Sequence, residues 1–88
     1  MIKMQREQND VVEAMGALKE LSEDSEIPKN IKLKIYEMIE VLKDDVDVSL
    51  RIHKVLQKLE DVVEDKNLQP FSRTQIYNLI SSLESVSL

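Results

Sequence analysis

The sequence predicts an all-α protein: four helices, arranged as two duplicated antiparallel helical hairpins packed into a compact bundle. Three observations carry that prediction. Apolar residues recur at steps of three and four along most of the chain, which is the spacing of one helix face. Three polar runs rich in turn formers, SEDSEIP, KDDVD and EDKNLQP, interrupt the period. The chain also matches itself at a shift of 41 residues.

The first helix is expected from about Arg6 to Ser22, with Val11, Ala14, Met15, Leu18 and Leu21 on one face and Glu7, Glu13 and Glu20 largely elsewhere. Gly16, the only glycine, falls inside this helix, where it costs about 1 kcal/mol relative to alanine. With Ala14 and Ala17 nearby, it would admit close approach by a neighbouring helix or a second subunit. Pro28 ends the first interruption and biases Ile27 away from helical geometry. It fits the first turn of the second helix, whose apolar face is Ile31, Ile35, Met38, Ile39 and Leu42.

Asp45 or Asp47 is positioned to cap a third helix, whose face is the clearest in the chain: Val48, Ile52, Val55, Leu56, Leu59, Val62 and Val63. The fourth helix presents Ile76, Leu79, Ile80 and Leu83. Ser72 and Gln75 have capping-box spacing, which places its start one turn after Pro70. The closing SVSL is expected to fray.

Aligned at the 41-residue shift, segment 11–44 pairs without gaps with 52–85. Identical pairs include Leu18 with Leu59, Glu23-Asp24 with Glu64-Asp65, Ile35-Tyr36 with Ile76-Tyr77, Ile39 with Ile80 and Leu42 with Leu83. Residues 1–88 therefore read as one helical domain with an internal repeat. Each hairpin alone leaves an apolar face uncovered, so the two must pack together. Short connections favour antiparallel neighbours in a closed bundle. The alternative is a HEAT-like stack of hairpins, since the period lies in that range. Two repeats are too few for a stable solenoid unless dimerisation covers the open ends.

Composition narrows the function classes. A hydrophobic fraction of 42% with 33% charged residues is too apolar for a disordered chain, and one glycine with two prolines is too poor in turn formers for an all-β fold. Aromatic residues are scarce, so the core is aliphatic. Without cysteine there are no disulfides and no thiolate chemistry. The formal charge of −5 argues against nucleic acid as a partner. No apolar run approaches the roughly 20 residues of a membrane span, and the first ten residues lack the apolar stretch of a secretion signal; the expected location is the cytoplasm, with no membrane partner.

Both repeats keep an acidic pair at the end of one helix, a cation eight residues later and a tyrosine four beyond it. Lys32 with Tyr36, and Arg73 with Tyr77, have i,i+4 spacing and can touch along a helix. The acidic pairs could also reach the cation across the loop. These residues read either as a structural clasp at each hairpin tip or as two related partner sites. Phe71 and Thr74 occur only in the second copy. The candidate partner-binding set is therefore Phe71, Arg73, Thr74 and Tyr77, with Lys32 and Tyr36 in the first copy.

Lys29, Lys32 and Lys34 near a helix start, together with Arg73, are what a nucleic-acid or ribonucleoprotein accessory would use. Lys29 and Lys34 point to different sides, and no glycine-rich loop is present to cradle phosphate. Asp44, Asp45 and Asp47 lack the central glycine and distal glutamate of an EF-hand loop. The sole histidine, His53, lies off the apolar stripe and has Leu50 rather than Glu three residues before it, so the helix-bundle di-iron pattern is missing. No catalytic, cofactor-binding or metal set is visible.

Two blocks carry a family resemblance. IPKNIK (27–32) resembles a Pro-Arg-Asn-Ile-Arg-like start of the second helix. NLQPFSRTQIYNLISSLE (67–84) resembles a closing block with Tyr77 where tryptophan is usual and Pro70 one residue after the position of the family proline. They are similar to an uncharacterised archaeal family of short all-helical proteins. The resemblance implies this fold and an archaeal cytoplasmic setting, and it brings no mechanism. The expected function is then a non-enzymatic protein–protein interaction or scaffold module, its partner another protein or, as a homodimer, itself.

Overall fold

Four helices follow one another: α1 (Ile2–Glu23), α2 (Lys29–Lys43), α3 (Val48–Val63) and α4 (Pro70–Ser87). The computed structural model describes residues 2–87, with side chains over 10–86. No strand is present among the described residues. Each helix packs on the next, α1 returns against α4, and α1 also touches α3 across the centre, whereas α2 and α4 do not pack together. A stack of hairpins would leave α1 and α4 apart, so this is the closed bundle.

The apolar stripes become the core. Val11, Leu18 and Leu21 of α1, Ile31, Ile35, Met38 and Leu42 of α2, Ile52, Val55, Leu59 and Val62 of α3, and Ile76 and Leu83 of α4 are all buried. Burial of such side chains contributes about 1.5–3 kcal/mol each, which offsets the entropy of ordering so short a chain. Every buried residue of the first half, from Val11 to Leu42, lies 41 positions before a buried residue of the second. Ser72 takes the buried place that Ile31 holds in the first half.

The two hairpin loops also share their hydrogen bonds. The Asp24 amide donates to the Leu21 carbonyl at 3.2 Å, and the Asp65 amide to Val62 at 3.0 Å. The Ile27 and Leu68 amides each donate to the carbonyl of the loop aspartate, both at 3.2 Å. The aspartate carboxylates accept from the amides two residues on, Glu26 at 2.9 Å and Asn67 at 2.8 Å. These are Asx turns, and they bury Ile27 and Leu68 as plugs under the loops. The tips lie side by side, where Asn30 Nδ2 donates to Asp65 Oδ2 at 3.4 Å.

Several boundaries differ from the sequence expectation. α1 begins at Ile2 rather than near Arg6. α4 begins at Pro70 rather than one turn later, with its first helical bond from the Arg73 amide to the Gln69 carbonyl at 2.9 Å. Proline at the first position forfeits no helical hydrogen bond, so the helix starts there and Ser72 lies buried within the first turn instead of capping it. α4 runs through SVSL as far as Ser87, and Val86 packs against the core; Leu88 lies outside the described residues. Asp47 occupies the cap position of α3 but makes no side-chain cap bond.

Candidate functional site

At the α3–α4 tip the cation clasps the loop, by a route different from the one the spacing indicated. Arg73 reaches back over the α3–α4 loop. Its Nε donates to the Val63 carbonyl at 3.1 Å, and its Nη2 donates to the carbonyls of Asp65 at 2.7 Å and Leu68 at 3.3 Å. The last carbonyls of a helix lack intrahelical donors and carry partial negative charge, so a half-buried guanidinium placed there is well used. The acidic side chains do not hold the cation: the Asp65 carboxylate is engaged in its own turn. Arg51 does similar work one loop earlier, donating from Nη1 to the Leu42 carbonyl at 2.8 Å. Lys32, at the position equivalent to Arg73, makes no such bond among the described residues.

The remaining predicted residues scatter. Phe71 is 71% exposed, Tyr77 53% and Tyr36 50%. Thr74 donates from Oγ1 to the Pro70 carbonyl at 3.1 Å, a bond within its own helix. Arg73 and Tyr77 share a shallow, open depression with Val63, Glu64 and Lys66. Lys29, Lys32 and Lys34 lie on α2 and Arg73 on α4, two helices that do not pack together. His53 is exposed, as expected. Asp44 terminates α2, and its carboxylate accepts from the Asp45 amide at 2.8 Å. No group of three or more His, Cys, Asp or Glu able to hold a metal occurs among the described residues.

The feature that spacing missed is an inequality between two interhelix seams. At the 41-residue offset the α2–α3 seam corresponds to the α4–α1 seam. The first is crossed by an ion pair, Lys58 Nζ to Glu37 Oε2 at 3.4 Å. The equivalent positions in the second are Ala17 and Asn78. That seam gapes as a groove of about 380 Å³.

Ala14, Ala17 and Leu21 of α1 and Leu79 of α4 form its apolar surface. Asp10, Glu13 and Glu20 of α1, with Asp24 just beyond, make one rim. Gln75, Asn78 and Ser82 of α4 make the other. By helical spacing the exposed Phe71 lies on the same α4 stripe, one turn before Gln75. Charge also differs between the outer faces: Gln75, Asn78 and Ser81 of α4 stand where α2 has Lys34, Glu37 and Glu40, all of them exposed. Gly16 is exposed beside the groove, and a Cβ there would meet nothing within 4 Å. No neighbouring helix of the chain therefore needs that glycine.

Comparisons with known proteins agree on the kind of chain this is. A model of a family described as "Uncharacterised protein family (UPF0147)" matches residues 1–86. The UPF0147 protein TV0625 of Thermoplasma volcanium is 33% identical over 85 residues, covering 96% of each chain. The UPF0147 protein Ta0600 of Thermoplasma acidophilum is 34% identical over 82 residues, covering 92% of this chain and 93% of that one. A crystal structure of a UPF0147 protein from Thermoplasma acidophilum superposes with a TM-score of 0.85 at 34% identity, covering 92% and 96% of the two chains. That of MMP1188, a protein of unknown function, superposes with a TM-score of 0.83 at 28% identity, covering 89% and 90%.

Proposed function

We propose that this chain, which belongs to the uncharacterised protein family UPF0147, is a non-enzymatic protein-interaction module that docks a partner in the α1–α4 groove. One observation carries the reading. Two seams in related positions of the bundle differ in that one is bridged by Lys58 and Glu37 while the other carries Ala17 and Asn78 and opens as a groove. The neutral outer face of α4 supports the same reading, because loss of charge distinguishes the centre of an interface from ordinary solvated surface. Phe71 adds an exposed aromatic anchor at one end.

The non-enzymatic reading is supported by the occupation of Arg73. Its donors are spent on loop carbonyls, and Tyr77 beside it faces an open depression with no enclosed space for a substrate. No helix among the described residues is long and apolar enough to cross a membrane. A cytoplasmic location is part of the proposal, as is the reading of the shared 41-residue pattern as duplication of one hairpin.

The test is to close the groove as the other seam is closed. The double variant Ala17→Lys with Asn78→Glu supplies the equivalent ion pair and replaces no fully buried residue. Affinity capture from native lysate is expected to recover a protein with the wild-type chain and to lose it with this variant. Tyr36→Glu, on the outer face of α2, is expected to keep it. Equal capture by all three chains, or capture lost only with the α2 variant, would exclude the groove.

A further inference from the structure

Resting on that docking role, the groove also specifies the chemistry of its occupant. In the α2–α3 seam a long cationic side chain, Lys58, crosses between the helices and ends on Glu37. The α1–α4 seam has no such chain of its own, because Ala17 holds the lysine's position. Carboxylates line this side instead: Glu13 and Glu20, at the positions of Lys54 and Asp61 in α3, flank Ala17 by about one turn on either side, and Asp10 and Asp24 extend the row. From Asp10 to Asp24 that row spans about 21 Å along α1. None of the four is in an ion pair among the described residues. The opposite rim offers only amides and a hydroxyl, so nothing across the groove neutralises it.

We propose that the groove binds a basic, amphipathic helix of a partner protein. Lysine or arginine stems of that helix would lie over Ala14 and Ala17, as Lys58 crosses the related seam, and carry their charges to Glu13 and Glu20. Apolar side chains would cover Leu21 and Leu79, and the Gln75 and Asn78 amides would meet its polar edge. The small residues at the bottom allow close approach, and a groove running between two helices suits a third lying along it. A second copy of this chain fits less well, because it brings a net charge of −5 to an acidic rim.

The probe is a fluorescent lysine–leucine amphipathic peptide about five turns long, with a glutamate–leucine counterpart, titrated against the full chain and followed by anisotropy. The lysine peptide is expected to bind, and to weaken as salt screens the rim. Glu13→Gln with Glu20→Gln should weaken it about tenfold or more, and so should Ala17→Lys with Asn78→Glu. Glu40→Gln with Glu60→Gln, the same loss of charge on α2 and α3, should change it less than about twofold.

Equal weakening by the two glutamine pairs would show general attraction to an acidic protein and overturn the proposal. So would failure of the lysine peptide to bind. A wild-type dimer in sedimentation that Ala17→Lys with Asn78→Glu dissociates would make a second copy the occupant and overturn it too. If any of these occurs while groove-dependent capture from lysate persists, only the partner's chemistry is wrong. Loss of that capture as well would remove the docking role.

Discussion

Arg73 holds the α3–α4 loop by donating to three main-chain carbonyls. The cation and the tyrosine four residues later could be read as a clasp or as a site, since Lys32 and Tyr36 repeat the pattern in the first half. The acceptors, however, are the main-chain carbonyls of Val63, Asp65 and Leu68, and a backbone acceptor has no signature in the sequence. The geometry also separates the two cations. A planar guanidinium can serve three carbonyls at once, whereas an ammonium in the equivalent place does not reproduce that fork. Arg73→Ala should therefore cost about 2 kcal/mol in urea denaturation, the value of charged hydrogen bonds to half-buried acceptors. Lys32→Ala should stay within about 0.5 kcal/mol. Comparable losses at the two positions would mean that the loops are held by something other than the arginine.

Among the elements, the four helices and their inward faces were plain from periodicity, because core packing needs little more than apolar residues at the right spacing. Their ends were less plain. Ser72 has the chemistry of a cap, but Pro70 starts the helix two residues earlier and the serine is drawn into the core at the place of Ile31. Competition between two start signals is settled by packing, which spacing alone does not contain. Gly16 offers a cleaner test of element and context. It lies inside α1, is exposed, and would bring an added Cβ into contact with nothing. Gly16→Ala should then raise stability by about 0.5–1 kcal/mol through helix propensity alone, read as a shifted urea midpoint at unchanged slope. A loss of stability would show that the bundle needs the bare backbone at this position.

For the molecule as a whole, the closed bundle followed from the sequence and the groove did not. Two short-linked hairpins with apolar faces leave few ways to pack, so the architecture was constrained. The groove arises from what is missing at Ala17 and Asn78, and absence is conspicuous only once the α2–α3 seam shows which pair belongs there. The signal was nevertheless present in the self-alignment, as a lysine facing a glutamate in one seam and an alanine facing an asparagine in the other.

An exposed ion pair such as Lys58–Glu37 contributes no more than about 1 kcal/mol. Stability is therefore a weak reason for its presence in one seam and its absence from the other. The proposed occupancy by a partner would supply a stronger reason, and it can be examined directly. A photo-crosslinking residue at position 78, compared with one at position 36, reports which surface is covered in the cells that make the protein. Docking in the groove predicts a discrete adduct from position 78 that vanishes when Ala17 is changed to lysine, and none from position 36. No adduct from position 78, or the same adducts from both positions, would contradict it.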